Sequence, residues 1–320
     1  MNISSNKPFG AAAPGVVAAI LMLAPGCSGS SSEPAPESPV ALDSAGCQEV
    51  DLATGASSEI SIEHDGIERS YRLYIPTGLD NTTPTPLVLN WHGLGSDSIE
   101  QEVYSGTAIV EERGYIAAYP KGLGRSFNAG FCCSSRGNPP HEADDVGFAR
   151  AVVAQVASRL CIDKHRVYST GMSNGGYMSE HLACNAADLV AAVAPVSAQG
   201  RPPVDCNPSR PVPMIAFNGT EDPLVSYVGS QEALLTWSER NSCDEGPRRE
   251  EVGGAYCDYW DSCADGADVV HCTIPGMAHC WPGDPLGITL PGFCETGGLD
   301  ILDANEVMYD FFEAHTLPAG

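Results

Sequence analysis

Basic residues are scarce in this chain of 320 residues: 16 lysines and arginines, only three of them lysine, stand against 41 aspartates and glutamates, for a net charge of −25. Such a charge repels phosphate backbones and other polyanions, so nucleic acid is excluded as an expected partner and charged pectin is disfavoured. Long apolar runs are missing as well. The most apolar stretch, residues 11–24, is interrupted by Pro14 and Gly15 and is too short to span a bilayer.

Metal-binding signatures are also lacking. The chain has neither a Cys-x-x-Cys pair nor a His-Glu-x-x-His motif. The adjacent pairs His271-Cys272 and His279-Cys280 do not make a zinc site by themselves. We therefore expect no metal and no cofactor. No internal repeat or appended binding module is visible, so the length favours one catalytic domain at residues 47–320.

The N-terminal residues have the composition of an export signal. Residues 1–26 are typical of a signal peptide, with an apolar segment that follows Lys7. Cys27 comes after Leu-Ala-Pro-Gly, which resembles a bacterial lipobox and makes this cysteine a candidate for lipidation; ordinary signal cleavage nearby is the alternative. Residues 27–46 are rich in Ser, Pro and Glu, which predicts a tether. The predicted location is extracellular or the bacterial outer cell surface.

Thirteen cysteines fit an exported chain. Without Cys27, twelve remain, an even number compatible with a fully disulfide-bonded framework. Cys132 and Cys133 are adjacent and are expected to reach two different partners. Chain proximity suggests two further bridges: Cys184 with Cys206, and Cys257 with Cys272.

Residues 171–175 read Gly-Met-Ser-Asn-Gly and carry the strongest functional signal. They lie between a β-rich run and a helix-like run, which is the strand, sharp turn and helix of a nucleophile elbow. The flanking glycines leave room for the crowded turn, and the helix N-terminus points at the serine. Ser173 is therefore the candidate nucleophile. The alternative is a Gly/Ser turn without chemistry.

An acid and a histidine follow in the chain order that such an arrangement requires. A buried-strand pattern ends at Phe217 and leads into a turn at Asp222, the candidate acid. Glu221 is the adjacent alternative, and an ordinary Asx-turn is the interpretation without catalysis. A second buried-strand pattern leads to His279, the candidate general base. The other seven histidines precede the acid, lie inside a strand or belong to the terminal helix.

A third buried-strand pattern runs into the glycine-rich segment 92–95. This segment can turn an N–H toward a developing negative charge, so the predicted oxyanion-hole donors are the amides of Leu94 and Asn174. His92 is expected to hold this loop or to contact substrate. Trp281, beside His279, is the candidate to stack on a planar acyl group, with a structural Trp-Pro-Gly turn as the alternative.

Apolar strands alternate with helices along the chain, as at residues 146–160 before the Val167 strand and 233–240 after the Phe217 strand. This alternation predicts an α/β fold with a mostly parallel, doubly wound sheet.

Several motifs occur together and in order: residues 160–168, 171–178, 144–148, 218–223 and 279–283. They resemble the secreted feruloyl esterase and polyhydroxybutyrate depolymerase group. The resemblance implies an α/β-hydrolase fold and cofactor-free hydrolysis of carboxylic esters by Ser173, Asp222 and His279. It also favours a bridge between Cys243 and Cys263. Some enzymes of the group that this chain resembles join a cysteine before the serine to a cysteine after the histidine. Here Met172 precedes the serine, so Cys280 pairs elsewhere or stays free.

The expected function is therefore that of a secreted serine esterase that releases acyl groups from plant cell-wall polysaccharide. The alternatives are a polyhydroxybutyrate depolymerase or oligomer hydrolase, a peptidase on the same fold, and a catalytically silent surface lipoprotein. The intact order of Ser, Asp and His argues against the silent lipoprotein. The missing binding module argues against attack on solid polymer. We expect a monomer whose partner is an ester substrate.

Overall fold

The structure is a computed structural model that describes residues 46–47, 53–130, 132, 143–203, 205–284, 294 and 301–318. These residues lie within one compact unit, Ala41–Gly320, and a second unit, Met1–Val40, lies outside them. The predicted signal peptide, the candidate lipidation site Cys27 and all of the predicted tether except Gly46 therefore fall outside the described residues.

Ten strands among these described residues form one sheet. They are β1 Ser57–His64, β2 Ile67–Tyr74, β3 Thr85–Trp91, β4 Ile116–Pro120, β5 Ile162–Met172, β6 Ala192–Val196, β7 Met214–Gly219, β8 Arg248–Val252, β9 Ala255–Trp260 and β10 Val269–Ile274. Their order across the sheet is β1-β2-β4-β3-β5-β6-β7-β10-β9-β8. The six central strands pair in parallel, and the strands outside them pair antiparallel. This confirms the predicted mostly parallel sheet.

Six α-helices accompany the sheet among the described residues: α1 Ser98–Ser105, α2 Ala108–Arg113, α3 Asp145–Ala157, α4 Asn174–Asn185, α5 Tyr227–Arg240 and α6 Ala304–Ala314. Side chains cap the first turn of α1, α3, α5 and α6, where Asp97, Asp144, Ser226 and Asp303 accept backbone N–H groups. No helix in this part of the chain has the length and apolar character needed to cross a bilayer.

Both faces of the sheet are covered. Every residue of β3, β6, β7 and β10 is buried, as expected for parallel strands packed on both sides. One apolar cluster includes Phe148 of α3, Leu182 of α4 and Trp237 of α5. A second cluster, on other strand residues, includes Ile109 of α2 and Phe312 of α6. The fold is therefore doubly wound, as predicted.

Five disulfides link described cysteines: Cys47–Cys161, Cys184–Cys206, Cys243–Cys263, Cys257–Cys272 and Cys280–Cys294. The three predicted pairs are confirmed, and the partner of Cys280 is Cys294. Cys132 is disulfide-bonded as well. Because Cys133 lies outside the described residues, different partners for Cys132 and Cys133 stay a prediction.

We expect the bridge Cys47–Cys161 to contribute more stability than Cys243–Cys263. It joins residues 114 positions apart, against 20 for the other bridge. In the chain-entropy account the longer loop contributes about 4–5 kcal/mol and the shorter about 3. The measurement is the melting temperature of each double serine variant. If Cys27 is lipidated and the other twelve cysteines pair, labelling of the denatured, unreduced mature protein with a thiol reagent should find no free thiol. Several free thiols, or equal melting temperatures in the two variants, would count against this framework.

Candidate active site

The three residues predicted to react follow three strands of the parallel part of the sheet. Ser173 comes directly after β5, Asp222 three residues after β7, and His279 five residues after β10. Because β5, β6, β7 and β10 are neighbours in that order, their carboxyl ends share one edge of the sheet. Open α/β sheets build their sites at this edge.

Ser173 forms the sharp turn between β5 and α4. Its backbone has φ 53° and ψ −117°, a conformation that L-residues rarely adopt and that persists only where the surroundings hold it. Its N–H donates to the Val196 carbonyl and its carbonyl accepts the Tyr177 N–H, both at 2.9 Å. A Cβ on Gly175 would lie 2.0 Å from the Trp91 carbonyl oxygen, so only glycine fits there. The Ser173 hydroxyl does not cap the helix, and the residue is partly exposed.

Asp222 and His279 are joined by a buried hydrogen bond. His279 Nδ1 donates to Asp222 Oδ2 at 2.7 Å, and the two side chains are 0% and 2% exposed. Asp222 Oδ1 accepts the backbone N–H groups of Leu224 and Val225 at 2.8 and 2.9 Å. The carboxylate therefore makes an Asx-turn with one oxygen and orients the imidazole with the other. Glu221, the alternative acid, is exposed.

The second ring nitrogen of His279 is free to act as a base. Nε2 is buried and has no hydrogen-bond partner among the described residues. Since Nδ1 carries the proton that Asp222 accepts, Nε2 of the neutral ring presents a lone pair. A general base needs such a nitrogen.

Close backbone approaches hold the loop that carries His279 against the turn that carries the acid. A Cβ on Gly219 would lie 2.0 Å from the Met277 carbonyl oxygen, so glycine is required at the end of β7. The Ser197 hydroxyl, after β6, donates to the Cys280 carbonyl at 2.7 Å. The histidine is thus fixed on both sides by neighbouring strand ends.

The two predicted oxyanion-hole amides lie beside Ser173. Asn174 is the first residue of α4, so its N–H has no intrahelical acceptor. The Leu94 N–H makes no hydrogen bond within the described part of the chain. A Cβ on Gly93 would lie 3.6 Å from Ser173 Cβ, which places the loop after β3 next to the serine.

The surroundings of His92 argue against its predicted contact with substrate. The side chain is fully buried. Nδ1 donates to the Gly93 carbonyl at 2.8 Å, and Nε2 accepts the Gly122 N–H at 3.0 Å. Burial lowers the pKa of His92 to about 4, so the ring stays neutral. The buried ring holds the loop after β3, which was the other role predicted for His92.

Trp281 is also buried, which contradicts its predicted stacking on substrate. Its indole is 0% exposed, and Nε1 donates to Asn305 Oδ1 at 3.2 Å. The ring lies 6.2 Å from that of Tyr104, in the core cluster that includes α6. A ring enclosed on all sides offers no face to a substrate. The structural alternative for Trp281 is therefore the supported one.

Neither cysteine of the two His-Cys pairs is available to a metal ion. Cys272 and Cys280 are both disulfide-bonded. His271 lies within β10, where Nε2 donates to Asn218 Oδ1 at 3.2 Å and burial lowers its pKa to about 4. Over the residues that the structure describes, no group of three or more His, Cys, Asp or Glu is arranged to hold a metal ion.

Sequence reasoning missed the side chain of Asn174. Its Oδ1 accepts the Phe127 N–H at 2.7 Å, and its Nδ2 donates to the Phe127 carbonyl at 3.0 Å. The available signal was the asparagine itself, directly after the candidate nucleophile, because a carboxamide can pair with a peptide group in both directions.

Comparisons with known proteins identify relatives of this chain. The chain is 30% identical to feruloyl esterase D of Neurospora crassa over 224 residues, which is 64% of this chain and 72% of that protein. The chain belongs to the feruloyl esterase family. Feruloyl esterase B of Piromyces equi is 30% identical over 236 residues, or 66% of this chain, but the match spans only 42% of that longer protein. No family model matches the chain described here.

One further sequence relative and one solved structure are also similar to this member of the feruloyl esterase family. A putative esterase, NocK, of Nocardia uniformis subsp. tsuyamanensis is 29% identical over 313 residues, 84% of this chain and 89% of that protein. The structure of an acetyl xylan esterase from Aspergillus awamori matches with a TM-score of 0.53 at 16% identity, over 70% of this chain and 94% of that one. At such identity the likeness concerns the fold alone, and it confirms the predicted α/β-hydrolase fold.

Proposed function

We propose that this protein is a serine carboxylesterase that releases ferulate and related acyl groups from plant cell-wall polysaccharide. The observation that carries the proposal is the 2.7 Å hydrogen bond from His279 Nδ1 to Asp222 Oδ2, with Nε2 unpaired, at the sheet edge where Ser173 forms the elbow. The feruloyl esterases to which the chain is similar support the acyl class.

The four parts of the site account for ester hydrolysis. His279 Nε2 accepts the proton of the Ser173 hydroxyl while the Ser173 oxygen attacks the ester carbonyl carbon. The amides of Leu94 and Asn174 donate to the oxyanion that forms. When the intermediate collapses, the imidazolium gives its proton to the departing alcohol oxygen. In the second half of the reaction His279 takes a proton from water, whose oxygen attacks the acyl carbon. The Ser173 oxygen then leaves with that proton, and the acid is released.

Asp222 supports the charged form of the histidine during these steps. Its side chain is 2% exposed, so the attraction between carboxylate and imidazolium is weakly screened by solvent. The same contact keeps the proton of the neutral ring on Nδ1, which leaves Nε2 as the acceptor.

The charge of the chain favours uncharged esters. At −25 the protein repels polyanions. Feruloylated or acetylated xylan lacks the dense negative charge of pectin and is the better partner on this ground. Polyhydroxybutyrate oligomers carry one terminal carboxylate and likewise lack dense negative charge, so they stay the second candidate.

We also propose that the protein is exported. Five disulfides among the described residues fit an oxidising compartment. In this proposal residues 1–26 are the export signal. The exported protein is then either anchored by a lipid on Cys27 or freely secreted.

A substrate panel tests the activity. The purified protein is assayed with methyl ferulate, acetylated xylan, hydroxybutyrate trimers and a peptide anilide, with Ser173→Ala as the matched inactive control. The largest kcat/KM is expected for methyl ferulate. Fast hydrolysis of the trimers without ferulate release would move the assignment to the depolymerase alternative. Cleavage of the anilide alone would indicate a peptidase.

A further inference from the structure

A short segment after β4, residues 122–127, contacts the loop that carries one oxyanion-hole amide. The Gly95 N–H donates to the Arg125 carbonyl at 2.8 Å, directly after Leu94. The Gly122 N–H donates to His92 Nε2 at 3.0 Å, directly before Gly93 of the same loop. The segment 122–127 therefore holds the loop after β3 on both sides of Leu94.

The other end of the same segment is held by the residue that carries the second amide. The Asn174 carboxamide makes two hydrogen bonds with the peptide groups of Phe127, at 2.7 and 3.0 Å. The Ser126 hydroxyl donates to the same Oδ1 at 3.3 Å. Asn174 is 0% exposed. Water cannot replace these partners without opening the site, so the bonds hold the segment firmly.

The segment is stiff between its two attachments. The Phe127 ring is fully buried and lies 5.1 Å from the Trp91 ring, edge-on, and 4.6 Å from the His92 ring. A Cβ on Gly122 would lie 2.3 Å from the Ser126 carbonyl oxygen, so the turn closes tightly only with glycine. A displacement of Phe127 is therefore passed on to the loop after β3.

We propose that Asn174 is a positioning residue whose side chain, through the segment 122–127, sets the place of the Leu94 amide relative to its own. One residue thus contributes a backbone donor to the oxyanion hole and locates the other donor. The proposal rests on the proposed esterase function. An oxyanion-hole donor acts only when it lies about 2.7–3.1 Å from the charge that develops. A displacement of about 1 Å at a reacting centre costs about a hundredfold in rate.

The variant Asn174→Ala tests the proposal with p-nitrophenyl acetate. Loss of the carboxamide should lower kcat about 10- to 100-fold and leave KM within about threefold, since only the transition state carries the full oxyanion charge. The affinity for a boronic acid that forms a tetrahedral adduct should fall by a similar factor. The affinity for the product acid should stay unchanged. The matched control is Asn128→Ala, whose carboxamide donates to the Ala143 carbonyl at 2.9 Å. It should keep a near-normal kcat.

A second variant disturbs the segment 122–127 and leaves Asn174 unchanged. Gly122→Ala forces the turn open and should reproduce the loss in kcat and in boronic acid affinity. It also keeps the test decisive if Asn174→Ala does not fold. A normal kcat in a folded variant of either kind, or a change in KM or melting temperature alone, would overturn the positioning role. If the wild-type protein hydrolysed no ester at all, the proposed function itself would fail, and this role with it.

Discussion

Replacement of Ser173 by alanine is expected to abolish ester hydrolysis while the protein stays folded. The hydroxyl is the proposed nucleophile, and the loss of a triad nucleophile lowers kcat by at least about a thousandfold. Stability should change little, because the Ser173 side chain caps no helix and the residue is partly exposed. The measurement is kcat with p-nitrophenyl acetate together with the melting temperature.

A serine away from the site provides the control. Ser158, an exposed residue at the end of α3, can be replaced by alanine and should leave kcat unchanged. Activity that survives Ser173→Ala with an unchanged melting temperature would remove this serine from the mechanism.

The second large effect is expected from Asp222→Asn. An amide cannot stabilise the imidazolium, and its NH₂ group opposes the Nδ1–H tautomer that leaves Nε2 free, so kcat should fall by about 10⁴-fold. Glu221→Gln should have little effect, because this side chain is exposed. The two variants make the same carboxylate-to-amide change at neighbouring positions, so each is the control for the other. If Glu221→Gln were the damaging change, Glu221 would be the acid.

The chain order and the apolar strands predicted the edge on which the site lies. Ser173, Asp222 and His279 each follow a strand whose buried pattern is visible in the sequence, and neighbouring parallel strands bring their ends together. The sequence named Asp222 as the candidate acid and left Glu221 as the alternative, because both lie in one turn. The choice depends on which side chain faces the His279 loop, and the structure supplies that contact.

Tertiary packing decided the features that the sequence did not predict. Trp281 adjoins the candidate base along the chain, but α6 supplies the Asn305 partner that helps to bury it. Asn174 finds Phe127 at a distance of 47 residues, beyond any local pattern. The same holds for the cysteines. The bridges Cys184–Cys206 and Cys257–Cys272, with separations of 22 and 15 residues, followed from chain proximity, whereas the bridge Cys47–Cys161, across 114 residues, did not.

In the proposed mechanism the Ser173 oxygen is the nucleophile and His279 Nε2 is its base. The most direct measurement is peptide mass spectrometry of the protein after reaction with a fluorophosphonate, which phosphonylates activated serines. A single adduct is expected on Ser173, absent from Ser173→Ala and formed far more slowly in His279→Ala. An adduct on another residue, or none while ester hydrolysis continues, would contradict this mechanism.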